Sequence, residues 1–164
     1  MLSLSPVSLQ GIKPGARLVL PSPNGSTIAF EAAAAAATVV AGSLRNAAAS
    51  ARWCEGRGTV AVIAAGEQWP GGGLRPAYED LLGAGAILAA LAAAGTGRLS
   101  PEASAAVAAF DAARLPDDLL FCSSAIELTA KGFAADLALA AALNVSSCVS
   151  VLLEGVLVTA EKIH

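Results

Sequence analysis

The sequence predicts an α/β fold: a three-layer α/β/α arrangement, with a largely parallel or mixed sheet and helices on both faces. Strand-like and helix-like stretches alternate over the first two-thirds of the chain in the order β-α-β-α-β-α. Right-handed crossovers turn that order into neighbouring parallel strands covered by helices. The clearest strand, residues 59–65, is continuously apolar after Thr59, the pattern of a strand buried on both faces. The 164 residues, 55% hydrophobic and 14% charged, suffice for a single domain over 1–164 with one core.

The elements follow in order. Residues 17–20 form an apolar strand closed by Pro21 and Pro23, because proline cannot donate to a sheet ladder. Asn24-Gly25 is a turn signal, and Ser26 or Thr27 caps an alanine-rich helix over 26–37. Residues 38–41 are short and β-branched, hence strand. Ser43 caps a second helix that ends near Gly56. The strand 59–65 leads into a Gly- and Pro-rich loop over 66–75. Pro76 then opens a third helix running to about Ala94, since proline suits the first helical position. Ser100-Pro101-Glu102 starts another helix with a cap, a proline and an acidic first turn, and Pro116-Asp117-Asp118 starts the next. Ser123-Ser124 caps a segment ended by Gly132, and a last helix spans 133–143. Two late strands, 149–153 and 156–159, flank Glu154-Gly155.

Composition excludes several functions. The net charge is -3 and the ten Lys and Arg are scattered, so no basic stripe serves nucleic acid. Three separated cysteines, Cys54, Cys122 and Cys148, read as reduced, small core residues of a cytoplasmic protein. The apolar stretches at 32–41 and 83–97 fall short of the roughly 20 strongly apolar residues of a membrane span, and the first residues lack the features of a signal peptide. With so little polar surface, an apolar face is expected to be covered either by another subunit, as in a homo-oligomer, or by further chain. His164 is the single histidine, so no catalytic triad or histidine metal cluster is available.

Ligands of open parallel sheets bind beyond the carboxyl ends of the strands. Three polar, glycine-bearing loops are expected there: 22–27, 42–43 and 66–75. The first two enter helix N-termini, where anions are favoured; each loop taken singly is more simply an ordinary capped connection. Glu79 and Asp80 lie in the first turns of the third helix. An acidic pair beside a phosphate cradle suits Mg²⁺, which takes one or two carboxylates and phosphate oxygens; two acids at a positive helix end are the plainer alternative. Arg45 and Asn46 follow the 42–43 turn. Trp69 is placed to shield a site. Glu127 and Asp136, set among apolar residues, call for partners such as Lys131 or an arginine.

Taken in order, Pro21-Ser22-Pro23-Asn24-Gly25-Ser26-Thr27, Leu44-Arg45-Asn46-Ala47, Ala64-Ala65-Gly66-Glu67 and Arg75-Pro76-Ala77-Tyr78-Glu79-Asp80-Leu81-Leu82-Gly83-Ala84-Gly85, with Glu127-Leu128, Gly132-Phe133 and Asp136 later, resemble the 2-phosphosulfolactate phosphatases. The resemblance runs from about Leu4 to Val156. It implies a Mg²⁺-dependent phosphatase of coenzyme M biosynthesis, converting 2-phosphosulfolactate to 3-sulfolactate and phosphate. By the resemblance, the substrate is a small phosphorylated anion held by Asn24, Gly25, Ser26, Asn46, Gly66 and Glu67, and Glu79 and Asp80 are catalytic and metal-binding. The chain corresponds to the central and C-terminal part of such proteins, with the expectation that it lacks their amino-terminal segment. Ile126 stands where many relatives carry arginine. The alternative is a truncated, non-catalytic domain that binds small anions or a partner subunit.

Overall fold

The computed structural model describes residues 3–19, 22, 24–35, 37–95 and 97–160. The expectations placed on Leu20, Pro21, Pro23 and His164 lie outside them. The structure is a mixture of helices and small sheets. Its centre is a helix, α4 (Tyr78–Ala93), in which eight residues are buried, Leu82 completely. The run Leu-Leu-Gly-Ala-Gly-Ala-Ile-Leu is apolar on every side, and a helix without a polar face belongs in a core.

Two helices pack on α4: α3 (Ala47–Cys54) and α5 (Pro101–Ala112). Gly85 makes the second approach possible. A Cβ there would collide with the Ala106 carbonyl oxygen and lie 2.7 Å from Phe110 Cβ. On α3, Ala47 and Ala51 join Leu44, Leu82, Ala86, Ile87 and Leu91 in one cluster, while Ala49 joins Val149 and Val151 in a second. Helical spacing puts residues i and i+4 on one face and i+2 across from them. The helix is therefore sandwiched between α4 and a sheet.

That sheet has the order β1-β4-β5, from β1 (Val40–Ala41), β4 (Ser150–Leu153) and β5 (Val156–Thr159), and both pairings are antiparallel. The late hairpin is the one predicted, turning through Glu154 (φ 49) and Gly155 (φ 79). A second hairpin, β2 (Glu67–Gln68) with β3 (Leu74–Arg75), closes through the glycines at 71–73 and pairs Glu67 with Arg75.

A parallel three-layer sheet is not formed among the described residues. Residues 17–19 have no ladder partner, and the expected strand at 38–41 is reduced to β1. Residues 59–65 run without a sheet neighbour. Val60 and Val62 lean on the α4 cluster, and Ile63 is 61% exposed. Their unbroken apolarity reflects one face on a helix core rather than two faces inside a sheet.

Helix boundaries differ by one to three residues. The first long helix, α2 (Gly25–Ala34), starts at Gly25 with Asn24 in the cap position, not at Ser26 or Thr27. Tyr78, not Pro76, is the first helical residue of α4. Ser100 caps α5 as expected, accepting from Ala103 N at 3.1 Å. After it come α6 (Asp117–Leu120), α7 (Ser123–Ala130) and α8 (Ala134–Ala140); α7 begins behind Cys122 rather than behind a serine cap. Near the start of the chain, the one-turn helix α1 (Pro6–Leu9) docks on α8: Asp136, 5% exposed, accepts from Ser5 Oγ at 2.7 Å and Val7 N at 3.0 Å.

Candidate functional site

Gly66 joins two of the three predicted loops. It is buried and left-handed (φ 70), a conformation glycine adopts without cost. Its N–H donates to Asp80 Oδ2 at 2.7 Å, and its carbonyl accepts from Asn24 Nδ2 at 3.0 Å. The same amide lies 3.3 Å from Glu67 Oε2. One residue thus ties the turn before α2 to the first turn of α4. Asn24, Gly66, Glu67 and Asp80 come together, with Glu79 next to Asp80 in the chain.

Asp80 is electrostatically unusual. Burial pushes its carboxyl above the usual range, the Gly66 N–H draws it back down, and the charges of Glu79 and Glu67 push it up again. Glu79 points elsewhere, its Oε2 3.7 Å from Cys122 Sγ. Burial raises the Cys122 thiol, the N–H groups of Ala125 and Ser124 lower it, and Glu79 raises it further. All three cysteines are free.

Two groups that sequence reasoning did not assign to a site border this cluster. Arg75, only 8% exposed, sits opposite Glu67 in the hairpin. Its Nη2 donates to Glu127 at 3.2 Å from Oε1 and 3.3 Å from Oε2. Arginine is almost never fully buried unless paired; the signal available in the sequence was only its place at the head of the Arg75–Gly85 motif. The Trp69 ring lies 5.8 Å from the guanidinium carbon but is itself 54% exposed, so it flanks the cluster rather than roofing it.

Other predicted residues are placed differently. Gly25 and Ser26 form the first turn of α2, and Ser26 Oγ donates to the Ser22 carbonyl. The 42–43 loop lies further along α4, with Gly42 against Ile87, about two turns beyond Asp80. Asn46 is spent on the fold: Oδ1 accepts from Ser43 N at 2.8 Å, and Nδ2 donates to Cys148 O at 3.0 Å. Arg45 Nη1 donates to the Leu139 carbonyl at 2.6 Å, which takes it away from any anion. Ile126 is 61% exposed.

Among the described residues, no three His, Cys, Asp or Glu side chains are grouped to hold a metal ion. Glu79 and Asp80 therefore suit only an open cation site, completed by water and ligand oxygens. Two shallow depressions, of about 380 Å³ beside Ala48, Arg52 and Asn144 and about 240 Å³ beside Pro6 and Arg45, lie apart from the cluster. Among the same residues, no helix is long and apolar enough to cross a membrane.

A search of curated proteins finds no match to the chain. The family model of 2-phosphosulpholactate phosphatase matches residues 2–155. That span takes in all four segments that meet at Gly66 and Arg75, namely the turn before α2, the β2–β3 hairpin, the start of α4 and α7, and the chain belongs to the 2-phosphosulpholactate phosphatase family.

Proposed function

We propose that this protein is a phosphoric monoester hydrolase acting on a small, multiply anionic phosphate ester: 2-phosphosulfolactate, released as 3-sulfolactate and phosphate in the cytoplasm, as a step toward coenzyme M. Family membership supports the reaction. The single observation that carries the site is the Gly66 backbone, whose carbonyl accepts from Asn24 and whose N–H donates to Asp80.

In this reading Asn24, Gly66 and Glu67, with the first turn of α2 at Gly25 and Ser26, receive the substrate, Asp80 faces the phosphoryl group, and Glu79 leaves its contact with Cys122 to join Asp80 at the ion. Asn46 supports the fold beside them. Three carboxylates so close together repel a phosphate dianion, so the reading includes Mg²⁺ held at Asp80 and Glu79. When bound, such an ion offsets phosphate charge and favours attack on phosphorus. Gly66 fixes one Asp80 oxygen and leaves the other for a proton, a cation or a substrate oxygen.

The test is phosphate release by the purified chain with and without Mg²⁺. Release that needs the ion and falls at least about a hundredfold in Asp80→Asn, a loss of general acid–base magnitude, supports the assignment; unchanged turnover in that variant removes it. A second reading, a non-catalytic domain that binds small anions or a partner such as a second copy, draws on bare apolar side chains, Val19 at 94% and Phe121 at 79% exposure. Metal-dependent turnover by the isolated chain rejects it.

A further inference from the structure

We propose that Arg75 receives an anionic group of the substrate and that Glu127 is the counter-ion it gives up on binding. The inference rests on the phosphatase reading and adds the residue that recognises charge. Among the described residues, the candidate site otherwise consists of carboxylates and neutral amides, and Arg75 is the cation beside them.

The two partners of the ion pair are unequal. The Arg75 side chain is 10% exposed and that of Glu127 50% exposed. Arg75 is held by the β2–β3 ladder, whereas Glu127 stands on the rim of α7 and can rotate into water. Only Nη2 is used in the pair; Nε and Nη1 make no hydrogen bond among the described residues. A guanidinium fork binds a phosphate or sulfonate through two parallel N–H donors, so an oxyanion would use more of Arg75 than Glu127 does. Opposed residues of an antiparallel pair share a face. Arg75 therefore projects on the side of Glu67, whose carboxylate meets Asn24.

A second observation points to the same place. Ser124 Oγ is buried and has no hydrogen-bond partner among the described residues. It lies three residues before Glu127 on α7, hence on the same helix face. A buried hydroxyl left unpaired costs stability. An oxyanion replacing the Glu127 carboxylate would supply an acceptor for it.

Calorimetric titration with inorganic phosphate in chelator-containing buffer tests the exchange. Glu127→Gln is expected to bind phosphate about threefold more tightly than the wild type, the scale of an ion pair with a solvent-exposed partner. Arg75→Lys, which keeps the charge and loses the fork, is expected to bind at least about tenfold more weakly. Glu127→Gln stays on the half-exposed side of the pair and is read even if Arg75 variants fold poorly. A structural strut would lower the melting temperature of Glu127→Gln without tightening phosphate binding, and that result overturns the proposal, as does unweakened binding by folded Arg75→Lys. Tighter binding by Glu127→Gln in a chain that hydrolyses no ester supports the Arg75 assignment and removes the phosphatase reading instead.

Discussion

Asp80 Oδ2 accepts the Gly66 backbone N–H at 2.7 Å across fourteen residues of chain. The bond joins the first turn of the core helix to the entrance of the β2–β3 hairpin. It satisfies a half-buried carboxylate that burial and two neighbouring acids otherwise disfavour.

The raised Asp80 carboxyl implies a pH dependence of stability. Its folded value lies above its unfolded one, so the folded state holds the proton more tightly. The contribution is full below the unfolded value, about 3.9, and is lost as pH rises through the folded value. Asp80→Asn retains an acceptor for Gly66 and does not titrate. In metal-free buffer the melting temperature of the wild type relative to Asp80→Asn should therefore fall as pH rises above about 4. A difference that is flat or rises with pH contradicts the assignment.

Gly66→Ala should disturb fold and site together. The backbone is left-handed there, and a Cβ would lie 2.7 Å from Leu74 Cδ1 and 3.0 Å from the Arg75 carbonyl. A loss of about 2 kcal/mol in urea unfolding is expected from backbone strain with crowding, accompanied by reduced phosphate release. Unaltered stability would show that the hairpin adjusts freely.

Asn46→Ala should separate scaffold from site. Its amide joins the Ser43 turn to the Cys148 carbonyl, and losing both bonds should cost about 1–2 kcal/mol with kcat retained. A hundredfold fall in kcat in a folded variant would return Asn46 to the active site.

Gly85→Ala tests the core. The approach of α5 leaves no room for a methyl group between Ala106 and Phe110. Overpacking of this kind costs about 3 kcal/mol. In the same α4 helix, Gly83→Ala meets only Leu44 N, at 3.9 Å, and should be neutral or slightly stabilising because alanine favours helix. Equal unfolding midpoints for the two variants would refute the close approach.

The helices and the late hairpin were legible because their signals are local: apolar spacing, a serine cap at Ser100, and Glu154-Gly155 in left-handed conformations. Asn24, Gly66 and Glu67 were legible as members of glycine-bearing loops, and Asp80 as half of an acidic pair in the first turns of a helix. Their mutual contacts were not, because Asn24 and Gly66 are 42 residues apart and Arg75 and Glu127 are 52 apart. The sheet was misread for the same kind of reason. An apolar run such as 59–65 announces burial, but whether a strand or a helix covers it depends on distant chain.

By itself, then, the sequence determined where the chain helixes and turns, and through the order of its motifs the family it belongs to. Tertiary structure decided that α4 is the centre of the core rather than a cover on a sheet, that Asn46 and Arg45 serve the scaffold, and that a buried arginine stands beside the acidic cluster. The division follows from range. Caps, turns and periodicity act within a few residues, whereas charge pairing and desolvation depend on which distant segments the packed core brings into contact.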